Sequence, residues 1–284
     1  GVLAVDTETT SLNAMEAGLV GISLCTSPGH ACYIPVAHVA SEKQTSLDLG
    51  EKEADVPEVK SEIKQIALKR AINLLKPVLE DPSVLKIGHN IKYDQKIFYR
   101  YGINVDPIDD TMILSYVLEG AQHGHGMDEL SRLHLDHHTI KFKDVAGSGK
   151  SQVTFDKVPL DKALTYAAED ADITRRLFHV LKPRLVTEKL TTVYESLERP
   201  LIGILREMET TGIRVDAASL RALSANFTHR LGALEIDIHN LSGKEFNIGS
   251  PKQLGEILFD EMSLPGGKKT KTGAYGTGAD VLEE

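Results

Sequence analysis

Apolar residues at the start of the chain come in short blocks bounded by turn formers, not at helical spacing. Residues 2–5 read as a buried strand and residues 18–25 and 31–36 as two more, joined by turns such as Ser27-Pro28-Gly29. An antiparallel meander is the arrangement these blocks predict. Residues 40–59 are polar, acidic and poor in large apolar side chains, which predicts a surface loop. Over residues 61–79 the period becomes helical (Ile63, Ile66, Ala67, Ala71, Leu74, Leu75), and the turn Asp81-Pro82 leads into a buried strand at 84–87. Helical spacing then recurs over residues 92–101, 111–118, 127–133 and 160–185. This first part reads as a mixed α/β domain with strands early and helices late.

Near Tyr194 the pattern changes. Two long amphipathic stretches, residues 194–211 and 217–241, flank Thr211-Gly212-Ile213-Arg214-Val215-Asp216, and a further helix is predicted over 251–262. The tail 266–273 is glycine- and lysine-rich and is expected to be flexible. There is no internal repeat. With 284 residues, two units are expected, 1–190 and 191–284.

Composition changes this picture little. Hydrophobic residues make up 41% and charged residues 26% of the chain, enough for a packed core. The net charge of -9 argues weakly against a nucleic-acid partner, because phosphate contacts come from Lys and Arg. Carboxylates gathered to hold cations would give the same sign. Only Cys25 and Cys32 occur, so no disulfide framework is built and a reducing, cytoplasmic setting is expected. No apolar run reaches the length of a membrane span.

Three acidic segments carry the candidate chemistry. In Val5-Asp6-Thr7-Glu8-Thr9 two acids alternate at the end of an apolar strand, so both project from one face. Buried together they would need a cation between them; two solvated acids at a strand end explain the pair more simply if it stands alone. In Lys86-Ile87-Gly88-His89-Asn90-Ile91-Lys92-Tyr93-Asp94 a strand turns into a helix, and Asp94 in the first turn is equally explained by the helix dipole. In Thr165-Tyr166-Ala167-Ala168-Glu169-Asp170-Ala171-Asp172, Tyr166 and Asp170 are four apart on a helix and share a face. Glu169 and Asp172 are expected at solvent-facing or structural positions.

Together, these acids in this order, with a tyrosine one turn before the last, resemble the tyrosine-bearing branch of the DEDD exonuclease superfamily. Asp6 and Glu8 match its first motif, Asp94 its second, and Tyr166 with Asp170 its third. The segments VLAVDTETTSLN, KIGHNIKYD and TYAAEDADIT look like the proofreading domain of bacterial family A DNA polymerases. Glu198-Arg199-Pro200-Leu201, Met208-Glu209-Thr210-Thr211-Gly212-Ile213 and the segment from Glu245 to Leu254 resemble the start of that family's polymerase portion, leading into the thumb. Its palm and fingers motifs do not occur, so no DNA synthesis is expected.

The resemblance implies a ribonuclease H-like exonuclease fold, a mixed central sheet flanked by helices and followed by a helical segment. It implies metal-dependent 3′→5′ hydrolysis that releases nucleoside 5′-monophosphates. The implied cofactors are two divalent ions, Mg²⁺ or Mn²⁺, with Asp6, Glu8 and Asp170 on one, Asp6 bridging to the second, and Asp94 supporting the second through water. Tyr166 would orient the attacking water. The implied partner is a single-stranded 3′ end of DNA such as a frayed primer terminus, contacted by Thr9, Leu12, Asn90 and Phe142, with the protein a monomer. A ribonuclease of the same superfamily and a non-catalytic polymerase module are the rival readings. Gly147-Ser148-Gly149-Lys150-Ser151 lacks the strand a phosphate loop needs. His134, His137 and His138 lack zinc-type spacing and read as a solvated helix end.

Overall fold

The computed structural model describes residues 1–39, 64–270 and 273–283. The loop expected over 40–59 lies outside them. Two compact units are present, Gly1–Gly212 and Ile213–Glu284.

In the first unit, β1 (Val2–Thr9), β2 (Leu19–Ser27) and β3 (His30–Pro35) form the antiparallel meander. The β2–β3 turn requires φ of +80° at Gly29, which glycine adopts without steric cost. Helix α1 (Leu68–Leu79) crosses to β4 (Leu85–Gly88), which lies parallel to β1. Helix α2 (Ile91–Arg100) then leads to β5 (Ile108–Asp110), parallel to β4. The order β3-β2-β1-β4-β5 makes a mixed five-stranded sheet. Helices α3 (Thr111–Glu119), α4 (Met127–Leu135), α5 (Phe142–Ala146) and the long α6 (Leu160–Thr187) follow.

Alternation along β1 divides the core. Leu3 and Val5 pack with Ile72, Leu79, Ile91, Ile97 and Phe98 on the side of α1 and α2. Ala4 faces the opposite layer with Leu114, Leu130, Ala171, Leu177 and Leu181 from α3, α4 and α6. Buried on both faces over most of their length, β1, β2 and β4 lack the clean polar alternation of a half-exposed sheet.

Two expectations are corrected. Helix α1 begins at Leu68 and not at 61, since residues 64–67 carry no helical turn. The Gln65 side chain accepts from His38 N and donates to His38 O, both at 2.9 Å, which holds this stretch against the end of the meander. Strand β5 was not anticipated, because Ile108-Asp109-Asp110 is short and acidic. Its acids are nonetheless buried and held by partners. Asp110 accepts from Asn90 N (3.1 Å) and Ile91 N (2.8 Å) at the start of α2, and from Met112 N (2.8 Å) and Ile113 N (3.3 Å) at the start of α3. Asp109 accepts from the Tyr194 hydroxyl at 3.0 Å and has Lys182 Nζ at 2.8 Å.

After α6, a short turn α7 (Thr191–Val193), a π-helical turn (Tyr194–Glu198) and α8 (Arg199–Thr211) run on together. Tyr194 is fully buried, and Glu209 of α8 pairs with Lys92 (2.5 Å) and Lys96 (2.6 Å) of α2.

In the second unit, α9 (Ala217–Ser242) is N-capped by Asp216 and buries none of its residues. Helix α10 (Pro251–Gly255), a π-helical turn (Glu256–Glu261) and α11 (Ala279–Leu282) complete it. Of the tail 266–273 expected to be flexible, residues 271–272 lie outside the described residues; Lys269 pairs with Tyr275 in an antiparallel bridge, and the Tyr275 ring lies 5.0 Å from that of Phe259.

Because one carboxylate caps two helices, Asp110→Ala is expected to destabilise the first unit by about 2–4 kcal/mol, roughly two lost caps. Urea unfolding followed by far-UV circular dichroism measures this, and an effect below about 1 kcal/mol would show that the double cap is dispensable.

Candidate active site

The site forms where three parallel strands end. β1 delivers Asp6 and Glu8 on the face that α6 covers, while Thr7 between them turns to the other side and donates to Asp94 Oδ1 at 2.5 Å. Open α/β sheets place ligand sites at this carboxyl end of parallel strands. Asp94, one turn into α2, is 3% exposed and bonded across to β1, so it does not cap its own helix. The cap of α2 comes from Asp110. Tight passage from β4 into α2 explains Gly88, where a Cβ would lie 2.7 Å from Ile91 Cβ. It also explains Asn90, held at φ 64° and ψ 44°, a left-handed conformation that asparagine tolerates better than most residues.

Helix α6 supplies Tyr166 and Asp170 one turn apart. Its neighbouring acids lock the helix: Glu169 accepts from Ile140 N (2.6 Å) and from His137 (2.8 Å), and Asp172 from Gly29 N and Arg176, both at 2.6 Å. Carboxylate oxygens of Asp6, Glu8 and Asp170 come within 4.8 Å of one another. All nine residues singled out in the sequence, Asp6, Glu8, Thr9, Leu12, Asn90, Asp94, Phe142, Tyr166 and Asp170, line one open groove of about 750 Å³.

Electrostatics set the character of this groove. Burial pushes the Asp6 carboxyl up to about 6. Burial, and then the charges of Asp6, Asp170 and Asp94, hold Glu8 well above the usual carboxylate range. Asp94 and Asp170 are raised by burial and next by Asp6. The Tyr166 phenol, raised by burial and by Asp170, stays neutral. Glu8 Oε1 is buried without a hydrogen-bond partner. An unpaired carboxylate oxygen among like charges is costly unless a cation completes it, and an all-oxygen donor set suits hard divalent ions. The residues present therefore fit a divalent metal site.

Leu12 is 96% exposed, so packing does not account for it. Its loop is pinned by Arg100, whose Nη1 donates to Ala14 O (2.8 Å) and Ala17 O (2.5 Å), and by the Tyr93 hydroxyl, which donates to Ser11 O at 2.5 Å. The Thr9 hydroxyl lies 2.5 Å from that of Tyr93. Phe142 is 40% exposed and its ring joins those of Phe155 (6.3 Å) and Tyr166 (6.2 Å).

Sequence reasoning missed Thr7, Tyr93, Arg100, Phe155 and Asp110. Asp110 alone had a signal, the Asp-Thr step before a helical run, which is an N-cap pattern. His134 is not on a solvated helix end. It is largely buried and faces Glu119 together with His123. Residues 149–151 form a 3₁₀ turn with no strand before it, in keeping with rejection of a phosphate loop.

Comparison with known proteins follows this geometry. A family model described as 3′-5′ exonuclease matches residues 1–186, and one described as DNA polymerase family A matches residues 217–284. DNA polymerase I of Rhizobium leguminosarum is 50% identical over 100% of this chain and 28% of its own length. DNA polymerase I of Pseudomonas aeruginosa is 40% identical over 100% of this chain and 29% of its own. The chain thus spans under a third of these relatives. Among solved structures, the POL domain of Pol1 from M. smegmatis, in complex with DNA primer-template and dNTP, aligns with a TM-score of 0.70 at 23% identity, covering 100% of this chain and 41% of that one. Brucella melitensis NrnC aligns with a TM-score of 0.54 at 24% identity, covering 74% and 85%. At these identities the structural matches establish the fold, the ribonuclease H-like α/β architecture expected from the sequence.

The raised carboxyls give a pH dependence of definite sign. The folded, metal-free groove holds protons that the unfolded chain releases near pH 4, so its contribution to stability falls as pH rises from about 4 through about 6, where Asp6 titrates. Carboxyls held low elsewhere, such as Glu119 and Glu209, slope the other way, so the reference is the chain carrying Asp6→Asn and Glu8→Gln. The thermal midpoint in EDTA, relative to that variant, is expected to drop over the interval and Mg²⁺ to reverse the drop; identical pH profiles for the two would refute the raised carboxyls of the groove.

Proposed function

Because the chain belongs to the 3′-5′ exonuclease family over its first 186 residues, we propose that it removes nucleotides one at a time from a single-stranded 3′ end of DNA. The observation that carries this reading is the convergence of Asp6, Glu8 and Asp170, with Asp94 and Tyr166, at the floor of one open groove. Matches to polymerases along the whole chain favour DNA over RNA and a proofreading role, in which a frayed primer terminus enters the site. Unpaired ends melt most easily, which makes a mismatch the preferred substrate.

In this reading Asp6, Glu8 and Asp170, with Asp94 in a supporting role, would hold the two divalent ions, Mg²⁺ or Mn²⁺. Bound divalent ions supply Lewis-acid stabilisation of the charge that builds on the attacking and leaving oxygens. Tyr166, a neutral phenol, orients the attacking water and is not a base. Glu8 Oε1 is an unpaired acceptor in the groove. Leu12, on its pinned loop, wedges between the last bases, and the exposed edge of Phe142 gives them a stacking surface that reads no sequence. Thr9 and Asn90, which also line the groove, contact the terminal sugar or phosphate. The product is a nucleoside 5′-monophosphate. The proposed division of the chain is an exonuclease over 1–190 and the beginning of a polymerase thumb over 191–284, acting as a monomer in the cytoplasm.

The test is degradation of a 5′-labelled single-stranded oligodeoxynucleotide with Mg²⁺ or Mn²⁺. A ladder shortening from the 3′ end, abolished by EDTA and by Asp6→Ala, is expected; no cleavage by folded, metal-supplied protein sinks the proposal. Tyr166→Phe is expected to lower kcat about 100-fold with little change in KM, as loss of positioning does. Leu12→Ala and Phe142→Ala should act on KM, by roughly 5- to 100-fold for each lost stacking contact.

A further inference from the structure

A second constellation lies outside the groove. Helix α3 ends at Glu119, and the connection to α4 contains Gly120, His123, Gly124, His125 and Gly126. None of these residues belongs to the hydrophobic clusters of the core, so apolar burial does not hold this loop. Polar contacts do. His123 Nδ1 lies 2.7 Å from Gly124 O. A carbonyl only accepts, so Nδ1 carries the proton and donates. In neutral His123 the Nε2 lone pair then faces Glu119 Oε2 at 2.8 Å, two acceptors in contact with no proton between them. Either a proton or a metal cation must close that contact. His134 Nε2, from α4, approaches the same oxygen at 3.3 Å.

We propose that Glu119, His123 and His134 bind one transition-metal ion of the Zn²⁺ class, which ties the end of α3, its following loop and α4 together. Their donor atoms lie within 4.8 Å of one another and come from three different segments. Two imidazole nitrogens and one carboxylate oxygen suit Zn²⁺ or Co²⁺, not the hard ions that suit the groove, and leave the fourth position for water. Supporting contacts of the kind that orient metal ligands are in place. Arg184 Nη1 holds the other carboxylate oxygen at 2.7 Å, Gly124 O fixes the His123 tautomer, and the Ser115 hydroxyl lies 3.2 Å from Glu119 Oε2. A proton on His123 is the rival way to close the contact.

The two are separated by metal titration of the full chain, stripped with EDTA and carrying Asp6→Ala and Glu8→Ala so that the groove is silent. Co²⁺ is followed by its visible absorption and Zn²⁺ by calorimetry near neutral pH. One equivalent is expected, with the intense visible band of a four-coordinate ion. His123→Gln and His134→Gln should each weaken it at least about 100-fold, while His138→Gln, an exposed neighbour, leaves it unchanged. Circular dichroism checks that every variant is folded; should the doubly substituted chain fail this check, the same histidine substitutions in the unmodified chain read the equivalent as a difference. Absence of a saturable equivalent, or one indifferent to both histidines, overturns the metal and leaves a protonated clamp.

Discussion

Four carboxylates brought to one end of a parallel strand repel one another, and the first unit is built around containing that repulsion. Asp6 and Glu8 leave β1 on the face covered by α6, Asp170 meets them from α6, and Asp94 reaches the same place from α2. Each is pushed up in pKa by burial before any neighbour's charge counts. The cost of keeping such groups together is met in two ways: protons are retained in the absence of metal, and cations complete the set when present. Rigid anchoring is therefore required. Thr7 tethers Asp94 to the strand between the two β1 acids, so α2 cannot drift without breaking a buried hydrogen bond.

Anchoring continues outward through a second pair of acids. Asp110 serves the N-termini of α2 and α3 at once, which fixes the helix bearing Asp94 against the helix that follows. Asp109 holds Tyr194 and Lys182, and Lys182 also meets Glu195 at 2.7 Å, so α6 and the π-helical turn share one buried charge. Buried ion pairs are weak sources of net stability but strong determinants of register. Here they fix how α6, which carries Tyr166 and Asp170, sits over the strand that carries Asp6 and Glu8.

Local chemistry was legible in the chain and long-range chemistry was not. Short apolar blocks bounded by turn formers announced the meander, and period 3.6 announced α2, α3, α4, α6 and α9 to within a residue or two. The three acidic segments were visible because strand and helix periodicities put Asp6 with Glu8, and Tyr166 with Asp170, on shared faces. No periodicity relates Asp94 to Thr7 or Asp110 to Asn90, which are separated by 87 and 20 residues. Asp94 looked like a helix-dipole acid for that reason. β5 escaped because its aspartates mimic a surface turn, and the start of α1 was misplaced because Gln65, with helical spacing in its favour, is taken by His38. His134 shows the same limit: its partners come from another helix and a loop.

A net charge of -9 argues only weakly against a nucleic-acid partner, and for the proposed function the placement of that charge matters more than its sum. Part of the acidity is concentrated in the groove, where it cannot face a phosphodiester directly. Unit charges of like sign 4 Å apart repel by about 4 kcal/mol near a protein surface, so in the proposed function ionised acids alone would disfavour an approaching phosphodiester. Cations would then enter first, or with the strand. Metal and substrate binding would in this way be one electrostatic event, and a chain of acidic total charge could present a locally cationic site. The apolar Leu12 and the ring of Phe142 suit this division of labour, since contacts to bases add affinity without adding charge.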